Sequence, residues 1–224
     1  MNTATDSISG LQPSVVQPSA FPPFARPPGI NIRAAKPGDA PLLHEFIREL
    51  AYYEGLAHEC RITVETAFEY ILGPRRVADA IIAEVEGQPA GFAVYYWTLS
   101  TFAARPGLYL EDLFVRPTFR KRGVGSALLH EVGRIAHRAG SGRFEWIALK
   151  WNEKARALYR SSGAREMEKW ILFRMDSDAL AKFACDGPGH PHDGGPLMEN
   201  EEFRMKTEIP QAKPRRSSFS TLHS

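Results

Sequence analysis

Cysteine is nearly absent: Cys60 and Cys185 are the only two in 224 residues. They are too few and too far apart for a disulfide framework or a cysteine-based metal site, so a reducing, cytoplasmic address is expected. No apolar run approaches the roughly 20 residues of a membrane span. The N-terminus has no basic segment followed by an apolar core, so it does not read as a secretory leader. Charge is not lopsided either. A formal net charge of +2, with 24% of residues charged, gives no reason to expect a bulk affinity for nucleic acid or a membrane surface and leaves any functional charge to act locally. His44, His58, His130 and His137 show no grouping beyond what a helix face gives by accident, so no metal is expected.

What the chain does have divides it into three parts. Residues 1–30 alternate Pro, Ser and Gly with isolated apolar residues and sustain no period, which predicts a disordered or loosely docked arm. Residues 184–224 are again rich in Gly, Pro and charge and read as a disordered tail. Between them, residues 31–183 hold 3.6-residue and strand-like patterns in alternation, enough for one domain.

A short strand "NIRAA" leads to Asp39 as a helix cap, and Leu42, Leu43, Phe46, Ile47 and Leu50 form one helical face that Gly55 ends. Thr63 caps a second helix running to Leu72, where Gly73-Pro74 stops it. "ADAIIAEVEGQPAGFAVYYWTLS" reads as a hairpin around Gly87-Gln88-Pro89, and "LYLEDLFVRP" as a further strand closed by Pro117. A helix over 122–139, a strand "RFEWIALKW", a helix over 153–162 ending at Gly163 and a last strand "AREMEKWILFRM" complete the order β-α-α-β-β-β-α-β-α-β. The class is α/β, with a mixed, partly antiparallel sheet.

The stretch "RKRGVGS" at 120–126 stands where the strand "YLEDLFV" gives way to a helix. A helix N-terminus offers unpaired backbone N–H groups and the positive end of the macrodipole, and glycines at 123 and 125 let an anion approach the main chain. Arg116, Arg120, Lys121, Arg122, Arg134, Arg138 and Arg143 surround it, with Glu131 as the only acid between 116 and 143. A ligand with several phosphates suits this arrangement; a tight turn followed by a solvated cationic face satisfies the same residues. The third glycine of a dinucleotide fingerprint and the Gly-Lys-Ser/Thr ending of a Walker loop are both missing.

Arg120-x-x-Gly123-x-Gly125 after an apolar strand resembles the Arg/Gln-x-x-Gly-x-Gly/Ala signature of the GNAT superfamily of acyltransferases. "WNEKARALYRSSGA" (151–164) is similar to that superfamily's Asn…Tyr…Gly-Ala element. "ELAYYE", "GFAVYYWT" and "YLEDLFV" add a resemblance to the spermidine/spermine (diamine) and thialysine acetyltransferase branch, over roughly residues 31–180. The resemblance implies a single GNAT-like domain, its mostly antiparallel sheet splayed at the central strands and flanked by helices. It implies acetyl-CoA as cosubstrate, held by the main chain of Leu113, Phe114 and Val115, by the loop Arg120, Lys121, Arg122, Gly123, Val124, Gly125 and Ser126, and by Asn152, which also suits a helix cap. Tyr159 matches the tyrosine that protonates the coenzyme A sulfur. Glu111 matches the carboxylate that holds the cationic amine and relays its proton, with Asp112 expected on the opposite strand face. Tyr53 and Glu54 match an amine-contacting pair, and homodimers are implied.

Departures bear on the substrate. The loop "GLAHECRIT" after Tyr53-Glu54 carries fewer carboxylates than the polyamine pattern, Lys150 replaces an acid before Trp151-Asn152, and Ser100 replaces another. These changes favour a shorter or zwitterionic amine, such as a lysine-like amino acid whose carboxylate could meet Lys150. The expected activity is direct transfer of the acetyl group, in a ternary complex, to a primary amine of a small substrate, a diamine or polyamine or a lysine-like amino acid. Peptide or protein acetylation is the alternative, and a catalytically silent coenzyme A binding module the second.

Overall fold

Antiparallel strands joined by a two-residue turn at Glu86 and Gly87 set the frame of the sheet. The computed structural model describes residues 24–185. In chain order its elements are β1 (Ile30–Ala34), α1 (Ala40–Glu54), α2 (Val64–Ala67), β2 (Asp79–Val85), β3 (Gln88–Ser100), β4 (Arg105–Val115), α3 (Val124–Arg138), β5 (Arg143–Glu145), α4 (Glu153–Ser161) and α5 (Ser177–Cys185). The five-stranded sheet has the order β1-β2-β3-β4-β5, antiparallel except for the parallel pair β4–β5.

The helices form where the periodicity predicts them. In α1 the buried residues Leu43, Phe46 and Leu50 line one face, and Gly55 closes the helix in the left-handed region at φ 78°. Thr63 caps α2 through a reciprocal capping box with Thr66, and the chain continues through a wider turn over 68–72 that Gly73 ends. In α3, Val124, Leu128 and Val132 are fully packed.

The sheet is covered on both faces, as an α/β layering requires. On one face α1 packs its stripe against Ile82, Phe92, Val94 and Phe114. On the other, α3 packs against Ile81, Ala83, Leu108, Leu110 and Val115.

Two expected strands differ. The strand predicted over 143–151 is only three residues long, Arg143–Glu145, and the last strand predicted over 164–175 does not form. A strand needs a ladder partner for its backbone groups, and none of the described residues supplies one to 164–175, whose exposed side chains include Trp170, Ile171, Leu172 and Phe173.

Among the described residues, those up to Arg165 form one compact unit and those from Glu166 a second, in which Asp176 accepts a hydrogen bond from the Ala179 N–H at the start of α5. Within the sequence reserved for the arm, residues 24–30 are described: Phe24 stacks on His130 at 4.3 Å and Arg26 pairs with Glu131 at 3.3 Å. The remainder of the arm and the tail from residue 186 lie outside the described residues.

Candidate active site

β4 keeps its partner on one edge and loses it on the other. Ten residue pairs run from Gly91↔Val115 to Ser100↔Arg105 along β3. Along β5 only Gly107, Leu108 and Tyr109 are paired, so the edge that faces β5 opens from Leu110 onward. The main chain of Leu113, Phe114 and Val115 therefore borders a gap with unpaired polar groups, as splayed strands require. Their side chains are core: Phe114 and Val115 are buried, and Leu113 packs beside them.

The loop after β4 ends in Gly123, which holds φ 84° and precedes α3 without any side-chain cap. The first N–H groups of this fifteen-residue helix are thus left to a ligand. A Cβ on Gly125 would lie 3.6 Å from Leu158, an ordinary contact that narrows the space between α3 and α4. An uncapped N-terminus with glycine beside it fits a pyrophosphate. Gly123 is needed for a different reason than close approach of a ligand. Its Cβ would meet Pro27 at 2.7 Å, and its backbone is left-handed. Gly123→Ala is therefore expected to lower stability by about 1–2 kcal/mol through left-handed strain. Thermal melts of the variant beside the wild type would check this.

The cations predicted around this loop do not gather there. Arg116 turns back to α1, bonding Glu49 at 2.7 Å and Glu45 at 2.8 Å. Arg134 pairs with Glu131, Arg143 with Glu145, and Arg122 reaches Glu86 at 3.5 Å. Lys121 is exposed with φ 61°. The Arg120 guanidinium lies 4.4 Å over the Tyr53 ring, and its Nε donates to the Val115 carbonyl at 2.9 Å. Val124 is buried and Ser126 half-buried in the first turn of α3. The Asn152 side-chain oxygen accepts from the Ala155 N–H at 3.3 Å and so caps α4.

Carboxyl and phenol groups on and around β4 act on one another through their charges. The β3–β4 register shifts between Val94, opposite Asp112, and Tyr95, opposite Leu110, which leaves Glu111 as the bulged residue. The bulge interrupts the strict alternation that would have carried Asp112 away from the site. Asp112 is partly buried, and burial, helped by the charges of Glu111 and Glu54, pushes its carboxyl up to about 7. Glu111 is exposed and also acts on Tyr96, whose phenol burial raises first. Burial likewise raises Glu54.

Tyr159 projects from α4 and packs on Trp146 with ring centroids 5.1 Å apart. Burial, and then the charge of Glu54, push its phenol up to about 12, so it keeps its proton at neutral pH. Tyr53 completes the enclosure: its ring lies 5.7 Å from Trp151 and 6.3 Å from Phe114. Its face, expected to meet an ammonium, carries Arg120 here. The arrangement can hold a cation among carboxylates, accept a proton near neutral pH and donate one from a phenol.

Among the described residues no group of three or more His, Cys, Asp and Glu side chains is placed to hold a metal, and no helix is long and apolar enough to cross a membrane. Lys150 is exposed.

Residues 46–164 match the Acetyltransferase (GNAT) family. The chain is 35% identical over 166 residues to a thialysine N-epsilon-acetyltransferase of Sus scrofa, covering 69% of this chain and 97% of that one. It is 28% identical over 196 residues to an L-ornithine N5-acetyltransferase of Arabidopsis thaliana, covering 67% and 86% respectively. Among solved structures, an integron cassette protein from the mobile metagenome of V. cholerae superposes with a TM-score of 0.60 at 23% identity, covering 70% of this chain and 98% of that one, which bears on the fold alone.

Proposed function

Because the chain belongs to the GNAT acetyltransferase family, and is an acetyl-CoA-dependent N-acetyltransferase, we propose that it acetylates the primary amine of a small free substrate, a lysine-like amino acid or a diamine, by direct transfer in a ternary complex. The observation that carries this reading is that the charges of Glu54 and Glu111 act on Asp112 and that of Glu54 on the half-buried Tyr159. Three carboxyl groups attract an ammonium. A peptide backbone gains nothing from such a concentration of negative charge. Similarity to enzymes named for thialysine and L-ornithine supports the same choice.

In this mechanism Glu111 holds the arriving ammonium, and a carboxylate of the cluster takes its proton, directly or through water. The freed nitrogen forms a bond to the acetyl carbonyl carbon, the bond from that carbon to sulfur breaks as Tyr159 gives its proton to the departing thiolate, and the second proton lost by the nitrogen as it becomes an amide restores the phenol through water. The main chain of Leu113, Phe114 and Val115 and the loop from Arg120 to Ser126 hold the acetyl donor. Asn152 keeps its amide nitrogen for that purpose while its oxygen caps α4.

Thiol release from acetyl-CoA, measured with ornithine, lysine, thialysine, putrescine, spermidine and a lysine peptide, tests the reading. Turnover on at least one free amine, faster than on the peptide, is expected. A peptide that outruns every free amine would replace this reading with protein acetylation, and coenzyme binding without turnover on any acceptor would leave a silent binding module.

We further propose a homodimer in the cytoplasm. Exposed Trp170, Ile171, Leu172 and Phe173 form an apolar run of the kind that an interface covers, and Cys60 and Cys185 are both free thiols. Light scattering on the eluting protein should give twice the chain mass of 25.0 kDa, reduced to the single-chain mass when Ile171 and Phe173 are both replaced by Lys.

A further inference from the structure

The segment that precedes β1 does not leave the domain; it lies along α3 and touches the loop proposed to hold the donor. At one end the Gly29 carbonyl accepts from the Glu86 N–H at 3.2 Å, and Ile30 then enters the sheet opposite Val85. At the other end Phe24 stacks on His130 at 4.3 Å and Arg26 meets Glu131 at 3.3 Å. Between these anchorages Pro27 sits against Gly123, where its Cγ lies 2.7 Å from the place a Cβ would take. Pro27 is also the one residue of 24–29 that is not exposed. The lengths agree. The extended chain from Phe24 to Pro27 and the helix from Gly123 to His130 each span about 10 Å, so one segment running antiparallel to α3 makes both contacts. Pro27 and Pro28 each fix their own φ, which lowers the conformational freedom given up when the segment docks.

The loop that Pro27 touches holds strained backbone. Lys121 has φ 61° and Gly123 φ 84°, and the first of these is not a glycine. Such conformations persist only where the surroundings hold them. Arg120 gives part of that support through its Nε on the Val115 carbonyl. Lys121 is exposed, and Gly123 has no side chain with which to anchor itself. The Pro27 ring supplies the apolar contact that Gly123 lacks.

We propose that residues 24–29 are a strap that keeps the loop from Arg120 to Ser126 in its donor-binding conformation. Phe24 and Arg26 fasten the strap to α3, and Pro27 is a positioning residue that acts through Gly123. The proposal rests on the assignment of acetyl-CoA to this loop and is independent of which amine is acetylated. A loop that visits other conformations offers the first N–H groups of α3 to a pyrophosphate for only part of the time. Apparent affinity then falls by that fraction.

Titration calorimetry of acetyl-CoA into the full chain, with no amine present, tests the strap beside amide hydrogen exchange of the coenzyme-free protein. Phe24 and Arg26 are exposed, so replacing them leaves both cores intact. The double variant Phe24→Ala/Arg26→Gln and, separately, Pro27→Gly should each weaken acetyl-CoA binding about fivefold. The Ala127 amide, which donates to the Gly123 carbonyl at 2.9 Å, should exchange faster in both. The Val132 amide, in the packed middle of α3, should keep its rate. Phe24→Tyr/Arg26→Lys retains the ring and the charge and should bind as the wild type does. In turnover the loss should fall on the acetyl-CoA KM, with kcat and the amine KM retained.

Acetyl-CoA affinity within about twofold of the wild type in either weakened variant overturns the strap, whatever happens to the melting temperature. Tighter binding overturns it as well, because the segment would then be obstructing the donor. So does an equal loss in Phe24→Tyr/Arg26→Lys. A wild-type chain that fails to bind acetyl-CoA removes the donor assignment of the loop itself, and the strap with it.

Discussion

Tyr159→Phe is expected to lower kcat by more than about tenfold while leaving the acetyl-CoA KM within about twofold. The substitution removes one hydroxyl and keeps the ring, so the packing on Trp146 at 5.1 Å and the α4 contact with the core should survive. What disappears is a phenol that burial and the nearby Glu54 hold up to about 12. Such a group is fully protonated across the working range, and in the proposed mechanism it neutralises the departing thiolate. General acids of this kind contribute on the order of a hundredfold or more. Steady-state kinetics across pH should show the second signature. Because the phenol titrates only near 12, no alkaline decline between pH 7 and 10 belongs to Tyr159, and the variant should keep the wild-type pH profile at a lower level. An unchanged kcat would remove Tyr159 from the mechanism.

Asp112→Asn should move activity and stability in opposite directions. With its carboxyl pushed up to about 7, Asp112 becomes an acceptor poised near neutral pH, and the amide cannot take a proton from the amine. We expect kcat/KM to fall by at least about tenfold at pH 8, with the acidic limb near pH 7 flattened. Stability follows from linkage. The folded-state pKa lies above the unfolded value of 3.8, so the fold favours the protonated acid. That contribution is complete below about pH 4 and is lost as pH rises through about 7. The uncharged amide keeps it throughout. The variant should therefore exceed the wild type by up to roughly 4 kcal/mol at pH 8, with the gap closing toward pH 4. Urea unfolding at both ends of that window measures it. A variant less stable than wild type at pH 8 would show that the carboxylate is held there by a favourable partner rather than strained by burial.

Elements were legible where the cause is local. The stripe of Leu43, Phe46 and Leu50, the Thr63 cap and the register of Val124, Leu128 and Val132 each depend on neighbours within one or two turns, and all appear as the periodicity implies. Features set by a distant partner were not legible. Glu111 is bulged because of how β3 aligns with β4, and a single strand's text does not contain that alignment. The run 164–175 has strand-like composition but no ladder partner among the described residues. Arg120 carries the expected loop signature, yet its guanidinium settles on Tyr53, a residue from α1 that only the tertiary packing brings near. Chain position placed the candidate site residues on their elements; charge and burial, which decide what Glu54 and Asp112 can do, needed the assembled sheet.

The half-open strand β4 separates two demands that usually compete for the same atoms. Along Leu113 to Val115 the side chains fill the cores on both faces of the sheet, while the main chain borders the gap where the acetyl donor is proposed to lie. Recognition through peptide groups is indifferent to which aliphatic or aromatic side chain the residue carries. Drift in the hydrophobic interior can therefore proceed by exchanges of similar volume without degrading the proposed grip on the donor.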